Sequence, residues 1–517
     1  MGEKSFDIST FFAYIPSNAL YIEILLWSDK KMEMKLNKSD WIFLILCLVL
    51  GITAEEAFFR DQIGISYLVF IFIFYAVFFW RFRGFSFSHQ RFGYLILICI
   101  WLLASSFFIH TNQFFYGLNL LVIPGLVIFH LVLVTSQKRL SWNKPVFLRY
   151  LFSRLIESVK YNAVLASVLG KIFKQGLNED KYIIWKKILI GLFISIPVFL
   201  VVLPLLMSAD TQFERMMGDI PQLFQIIDVE SFIRVIVVLI YTLAFFGLMQ
   251  VLLKKQIKAI MNKDNSTSFK MDAIISITVL VLMNAVYLLF TIVQFKYFFS
   301  GSLQGDLTYA EYARKGFFEL LFVTLINLSI TVLVLNFVDR NVRRTKRLTQ
   351  ILLTVLVLSS AVMLSSAFMR LSMYEDAYGF TFIRVMAHSF MIFLVVIYVY
   401  TLFKIWIEKL SLFHFYFISA LLYYAAMNML DVEKMVVTNN IDRYEQTGKI
   451  DPYYFNNLSY SGDIGLVELY EKDKEIPGLK DLIKERKMAL DADRSSWRSY
   501  NLKRELAKEK LRGLELE

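Results

Sequence analysis

From residue 41 to about residue 430 the chain alternates long apolar stretches with short charged ones. Most of the apolar stretches run to 16–25 residues. That is the length of a helix crossing a bilayer, since roughly 20 residues rising 1.5 Å each span the hydrocarbon core. Eleven spans are expected, over 41–53, 64–80, 94–109, 115–134, 188–207, 235–253, 273–295, 317–337, 348–368, 382–406 and 413–430, with the first and last the weakest. The pattern predicts an all-α, polytopic transmembrane helical bundle of about 11 spans with a short helical C-terminal extramembrane tail. Its segments are a leader (1–40), spans 1–4 (41–135), a basic linker (136–187), spans 5–11 (188–430) and the tail (431–517). Pro124, Pro197 and Pro204 fall inside expected spans, where proline kinks a helix.

Composition agrees: 57% of residues are hydrophobic and 19% charged, whereas a soluble domain carries about 25% charge. The distribution of the net charge of +11 is more telling than its size. If the loops alternate sides, one set holds 31 Lys and Arg, and the other holds 8: Arg60, Arg215, Arg234, Lys296, Arg314, Lys315, Arg370 and Arg384. By the positive-inside rule the N-terminus lies inside and the tail emerges outside. The tail has 16 basic against 18 acidic residues, so the basic excess belongs to the membrane part and reports orientation, with no nucleic-acid partner. Cys47 and Cys99 sit in apolar stretches, where a thiol is a small hydrophobe, and no disulfide framework is readable.

Three segments stand apart. The leader has one apolar run, 19–27, too short to span, and Met32 or Met34 is a candidate true start; an interfacial helix is the competing reading. In the basic linker, 147–156 has an amphipathic pattern that could lie on the anionic inner leaflet, although plain positive-inside charge is the favoured explanation. The stretch 494–516 reads as a solvated amphipathic helix.

Ionisable groups near membrane depth are costly, so their clusters are the first place to seek function. They gather on the expected outer side: Asp210 after the fifth span, Tyr309, Glu311, Tyr312, Arg314 and Lys315 before the eighth, and Arg370, Tyr374, Glu375, Asp376, Tyr378 and Arg384 between the ninth and tenth. On helices, Glu311 would meet Arg314 and Lys315, and Arg384 would share a face with His388 one turn away. The candidate ligand-binding set is therefore Asp210, Tyr309, Glu311, Tyr312, Arg314, Arg370, Tyr374, Asp376, Tyr378, Arg384 and His388. Mutual pairing that lowers desolvation cost is the simpler explanation of the same cluster. No catalytic residue, metal site or cofactor is assigned: the five histidines lack zinc-site spacing, and neither a P-loop nor a G-x-S-x-G elbow occurs.

Three segments resemble a bacterial family of polytopic membrane proteins of unknown function, the DUF4173/4153-like domain. Residues 309–320 resemble its Y-A-E-Y-A-R-[RK]-G-F-F-x-L signature. Arg370 and residues 374–384 resemble R…L-Y-x-x-A-Y-G-L-T-x-x-R, with the conservative departures Met373 and Phe380. Residues 440–444 and 447–451 resemble N-I-x-R-Y…T-G-K-[IL]-D, and the likeness extends from roughly 36 to 476. The resemblance implies a bacterial cytoplasmic (inner) membrane location and a shared site at the outer cluster, without an activity.

Three functions fit: a sensory or accessory membrane protein, a transporter or lipid-handling protein, or an intramembrane enzyme. The first is favoured because the spans are nearly free of charge. Its partners would be the lipid bilayer and another membrane or envelope protein through the 431–517 tail; the oligomeric state has no signature. Single cysteines test the orientation. One within 340–347 should be shielded from an impermeant thiol reagent in intact cells, whereas one within 300–308 should react; the opposite labelling would invert the topology.

Overall fold

The computed structural model describes residues 37–110, 112–174, 229–254, 271–294, 316–338, 342–492 and 496–516, with scattered positions between 184 and 213. The leader and most of the 188–207 stretch lie outside the described residues, as do Pro197 and Pro204. Among the described residues there is no strand, only an isolated bridge between Met271 and Val338. The chain is an all-α polytopic bundle.

Among the described residues, eleven named helices precede the tail: α1 (Lys38–Phe58), α2 (Ile65–Arg81), α3 (Gln90–Ile109), α4 (Gln113–Thr135), α5 (Pro145–Lys174), α6 (Val229–Lys254), α7 (Ala273–Val293), α8 (Phe317–Phe337), α9 (Arg343–Tyr378), α10 (Phe382–Trp406) and α11 (Leu412–Met429). Among the described residues, nine are long and apolar enough to cross a membrane, and α2 is a shorter apolar helix. The remaining helix, α5, is the basic linker, and α4 continues through Pro124.

The chain divides into two compact units. In one, comprising residues 1–52 and 153–254, α1 meets α6: Gln250 donates to the buried Asp40 carboxylate (3.0 Å) and Phe43 stacks on Phe246. Asn162 of α5 donates to the Leu243 carbonyl at 2.8 Å. The Gln250 amide and the Asn162 side-chain N–H thus each meet an acceptor, as a low-dielectric interior favours.

The other unit, residues 53–152 and 255–517, contains α2–α4, α7–α11 and the tail. The helix α9 packs on α7, α8 and α10, while α3 packs on α2, α4 and α11. Interhelical hydrogen bonds between neutral polar groups tie the first set: Asn327 to Ser360 Oγ (2.9 Å), Ser366 to Gln294 Oε1 (2.9 Å), Asn284 to the Leu352 carbonyl (2.9 Å) and Gln350 to the Ile405 carbonyl (2.8 Å). Without a hydrophobic force between helices in lipid, such bonds and close packing are what associate them.

At 36 residues α9 is about 54 Å long, well beyond the bilayer core. The sequence suggested a span ending near residue 368, with polar residues bridging to the next span; the helix itself runs on to Tyr378. The reason is periodic. Met363, Leu364, Ala367, Leu371 and Glu375 continue one buried stripe past the end of the apolar run.

The tail folds into α12 (Val432–Thr447), α13 (Pro452–Phe455), α14 (Tyr460–Lys472), α15 (Leu479–Ala492), a 3-10 turn (Trp497–Ser499) and α16 (Leu502–Gly513). Val436, Phe455, Leu466, Leu469, Leu479 and Ile483 centre its apolar core. The amphipathic helix expected within 494–516 is present as α16, and its Ala507 and Leu511 side is buried in the tail.

One buried acid gives the tail a pH dependence. Burial pushes the Asp463 carboxyl up to about 6, although Arg486 lies 3.3 Å away and pulls the other way. With the folded pKa above the unfolded one, the folded tail binds the proton more tightly, so this stabilising contribution is complete below about pH 4 and is lost as pH rises through about 6. Asp463→Asn cannot ionise. It should melt at a higher temperature than the parent at pH 7.5, by at most about 3 kcal/mol of stability at 1.36 kcal/mol per pKa unit, and match it near pH 4. Equal melting at both pH values would contradict the assignment.

Candidate functional site

The α9–α10 hairpin turns within Gly379–Thr381, and the sequence dictates the turn. Gly379 caps α9 with φ +85°, a left-handed conformation natural to glycine, and its N–H bonds to the Glu375 carbonyl at 2.7 Å. Thr381 caps α10, its Oγ1 accepting from the Arg384 amide.

Two side-chain rungs cross the hairpin. The Arg384 guanidinium lies over the Tyr374 ring, 4.1 Å from its centroid, and donates to the Gly379 carbonyl. One turn on, His388 Nδ1 is 3.1 Å from Oε2 of Glu375, a carboxylate that is almost completely buried. His388 Nε2 lies 3.4 Å from Ser372 Oγ and from the Phe368 carbonyl, with the Phe368 ring alongside. Arg370, one turn before Tyr374, is buried at 6% exposure beside Gly316, whose φ of +93° opens α8. A Cβ at Gly316 would come 2.8 Å from Arg370 Nη1, so the bare backbone makes room for the guanidinium.

Of the residues proposed from sequence, Arg370, Tyr374, Arg384 and His388 therefore share one hairpin, with the Tyr378 ring tilted against Tyr374, 4.9 Å between centroids, at its exposed margin. Asp376 points outward, and its part is played by its backbone carbonyl. Asp210 belongs to the other compact unit, where it is exposed and accepts from the Gln212 and Phe213 amides. Tyr309, Glu311, Tyr312, Arg314 and Lys315 lie outside the described residues. Glu375 was absent from the candidate set, yet it falls on the buried stripe of α9 and Asp376 does not. Extending the helical period past Phe368 would have found it.

The tail grips this same hairpin. Asn440 of α12 accepts from the Phe380 amide (2.9 Å) and donates to the Phe380 carbonyl (2.8 Å). Arg443 donates to the Asp376 (3.1 Å) and Ala377 (2.8 Å) carbonyls, and the Tyr454 hydroxyl accepts from the Phe382 amide at 2.8 Å. These are groups that helix ends leave without intrahelical partners.

A second junction joins the tail to α3, α4 and α11. Asn112, the cap of α4, donates to Glu433 at 2.7 Å, and the Ser459 amide and hydroxyl bond the other carboxylate oxygen. Asp431 accepts from the Lys434 amide, Ser461 and Lys503. The two carboxyls are driven apart. Burial raises Glu433, and the Ser459 bonds only partly oppose it. Burial raises Asp431 too, but the Lys503 hydrogen bond and charge, the Lys434 amide and His110 outweigh it, leaving Asp431 below its ordinary value. Behind this junction Asn119 donates to Asn428 (2.6 Å) and accepts from Tyr424 (2.7 Å), beside a cavity of about 10 Å³, room for one water.

Among the described residues, no group of three or more His, Cys, Asp or Glu is placed to hold a metal ion. Compared with known proteins, a family model described as a domain of unknown function (DUF4153) matches residues 97–469, well over half of the chain and including the whole hairpin. No curated protein and no solved structure matches the chain.

Gly379 and Asn440 act as one clamp, since a Cβ at Gly379 would lie 2.7 Å from Asn440 Oδ1. Gly379→Ala should destabilise the protein by about 1–3 kcal/mol through the left-handed backbone and the lost Asn440 bonds. Asn440→Ala should cost about as much, and the double variant clearly less than the sum, read as melting temperatures of the purified protein. Simple additivity would show that the two act separately.

Proposed function

Since the chain belongs to the family described as Domain of unknown function (DUF4153), we propose that it is a sensory or accessory protein of the bacterial cytoplasmic membrane, in which the α9–α10 polar site communicates with the tail. The N-terminus lies inside and the tail outside, where it engages another membrane or envelope protein. One observation carries the reading: the hairpin that holds Arg370, Tyr374, Glu375, Arg384 and His388 is the one whose turn Asn440, Arg443 and Tyr454 hold. A ligand or neighbour that disturbs the Glu375–His388 or Tyr374–Arg384 rung shifts Gly379–Phe382, and those backbone groups are shared directly with α12. Coupling of this kind needs an element that both sites bias, and the turn is that element.

The interior of the bundle supports this reading over transport. Among the described residues, the buried Asn284, Asn327, Ser360 and Ser366 are neutral and hydrogen-bond across helices, which favours helix association over passage of a solute.

The test is hydrogen exchange on the full-length protein in lipid nanodiscs. Glu375→Gln removes the charge at the inner rung with little change of shape and should alter exchange in α12 by several-fold. In an Asn440→Ala, Arg443→Ala background the same change should leave α12 unaffected. An α12 response that survives loss of both contacts, or no response in the parent, would contradict the coupling. Solute flux through reconstituted protein would favour the transporter reading instead.

A further inference from the structure

Residues Ser496–Asn501 form a strap across the ends of three helices. The Arg498 carbonyl accepts from the Gly64 amide and the Tyr500 carbonyl from the Ile65 amide, each at 3.1 Å, at the start of α2. The Arg498 guanidinium pairs with Glu56 (2.6 Å) and Asp61 (3.5 Å) beside the end of α1. Asn501 donates to the Phe107 carbonyl at 2.8 Å, and Tyr500 stacks on Phe108, both in the last turn of α3.

Those bonds fix the depth of the strap. The 20 residues of α3 make a rod of about 30 Å, the thickness of the hydrocarbon core, so its last turn marks the boundary between acyl chains and headgroups. At that level the strap and the first turns of α16 leave large apolar side chains uncovered: Trp497 is 58% exposed, Tyr500 40%, Leu502 44% and Leu506 43%. Leu502 and Leu506 are one turn apart on the face opposite the buried Arg504, Ala507 and Leu511. An aromatic pair followed by a leucine stripe is the composition of an interfacial anchor, since Trp and Tyr favour the headgroup level.

We propose that Trp497, Tyr500, Leu502 and Leu506 insert into the leaflet at the tail end of the spans, so that the tail is held by lipid as well as by the helix ends. The insertion is apolar in kind. Among the described residues, the strap and α16 cations with ion pairs are Arg498 with Glu56 and Asp61, Lys503 with Asp431, Lys508 with Glu505, Lys510 with Glu468 and Arg512 with Asp491. A zwitterionic surface therefore suffices, and anionic headgroups add little.

The experiment uses the full-length protein, with Cys47 and Cys99 replaced by alanine, in phosphatidylcholine nanodiscs. Trp497→Cys and, separately, Leu506→Cys carry an environment-sensitive dye. A spin label high on the lipid acyl chain should quench each dye at least about two-fold more than one near the chain end, and iodide should quench it several-fold less than the free dye. Addition of anionic lipid or salt should leave the pattern unchanged. Quenching by iodide as strong as for the free dye would place the strap in water and overturn the proposal. Quenching by neither agent would mean that protein, such as a second copy, covers the patch, and a requirement for anionic lipid would mean charge-driven binding; each outcome also overturns it.

Discussion

A helix that crosses a bilayer delivers its unpaired terminal carbonyls and amides to the membrane boundary, where each must find a partner. Much of this chain beyond residue 430 is organised around meeting that demand. Asn440, Arg443 and Tyr454 take the groups at the α9–α10 turn, Asn501 takes the Phe107 carbonyl, and the strap carbonyls of Arg498 and Tyr500 take the first amides of α2. The tail is thereby fixed to one end of its unit by directional bonds, together with apolar contacts such as the Phe115, Met427 and Val432 seam and the packing of Phe382 and Val385 on the tail core.

Directional fixing has a mechanical consequence. Apolar contacts slide, whereas a pair of bonds such as that between Asn440 and both backbone groups of Phe380 tolerates little displacement. A movement of the turn must carry α12 with it or break the clamp. Charges at the boundary follow the same logic. Asp431 remains ionised because Lys503 and an amide stabilise the charge, and the buried Glu375 and Arg370 sit in the projecting end of α9, nearer water than mid-span groups such as Asn327 and Ser360.

The spans were legible because hydropathy over about 20 residues is a local property that lipid enforces directly. The helical tail and the placing of Arg384 and His388 one turn apart on the tenth span were legible for the same local reason. The strap was not. Ser496 and Asp61 stand 435 positions apart, and nothing near either residue signals the other. The outer part of α9 lay beyond the expected span because its composition is polar, while its continuity rests on the buried stripe through Leu371 and Glu375. At the hairpin, the 440–444 segment was visible as a motif; that Asn440 and Arg443 reach back to Phe380, Asp376 and Ala377 could only come from the fold.

The central claim is that the tail sits on the ends of the spans, and cysteine cross-linking tests it most directly. Ser496 donates to the Asp61 carboxylate, so cysteines at these two positions lie within reach of a disulfide or a very short bifunctional reagent. With Cys47 and Cys99 replaced by alanine, the Asp61→Cys, Ser496→Cys protein should cross-link nearly completely in native membranes and revert on reduction where a disulfide formed. Both single cysteines reacting freely with a thiol reagent while the pair fails to cross-link would contradict the account.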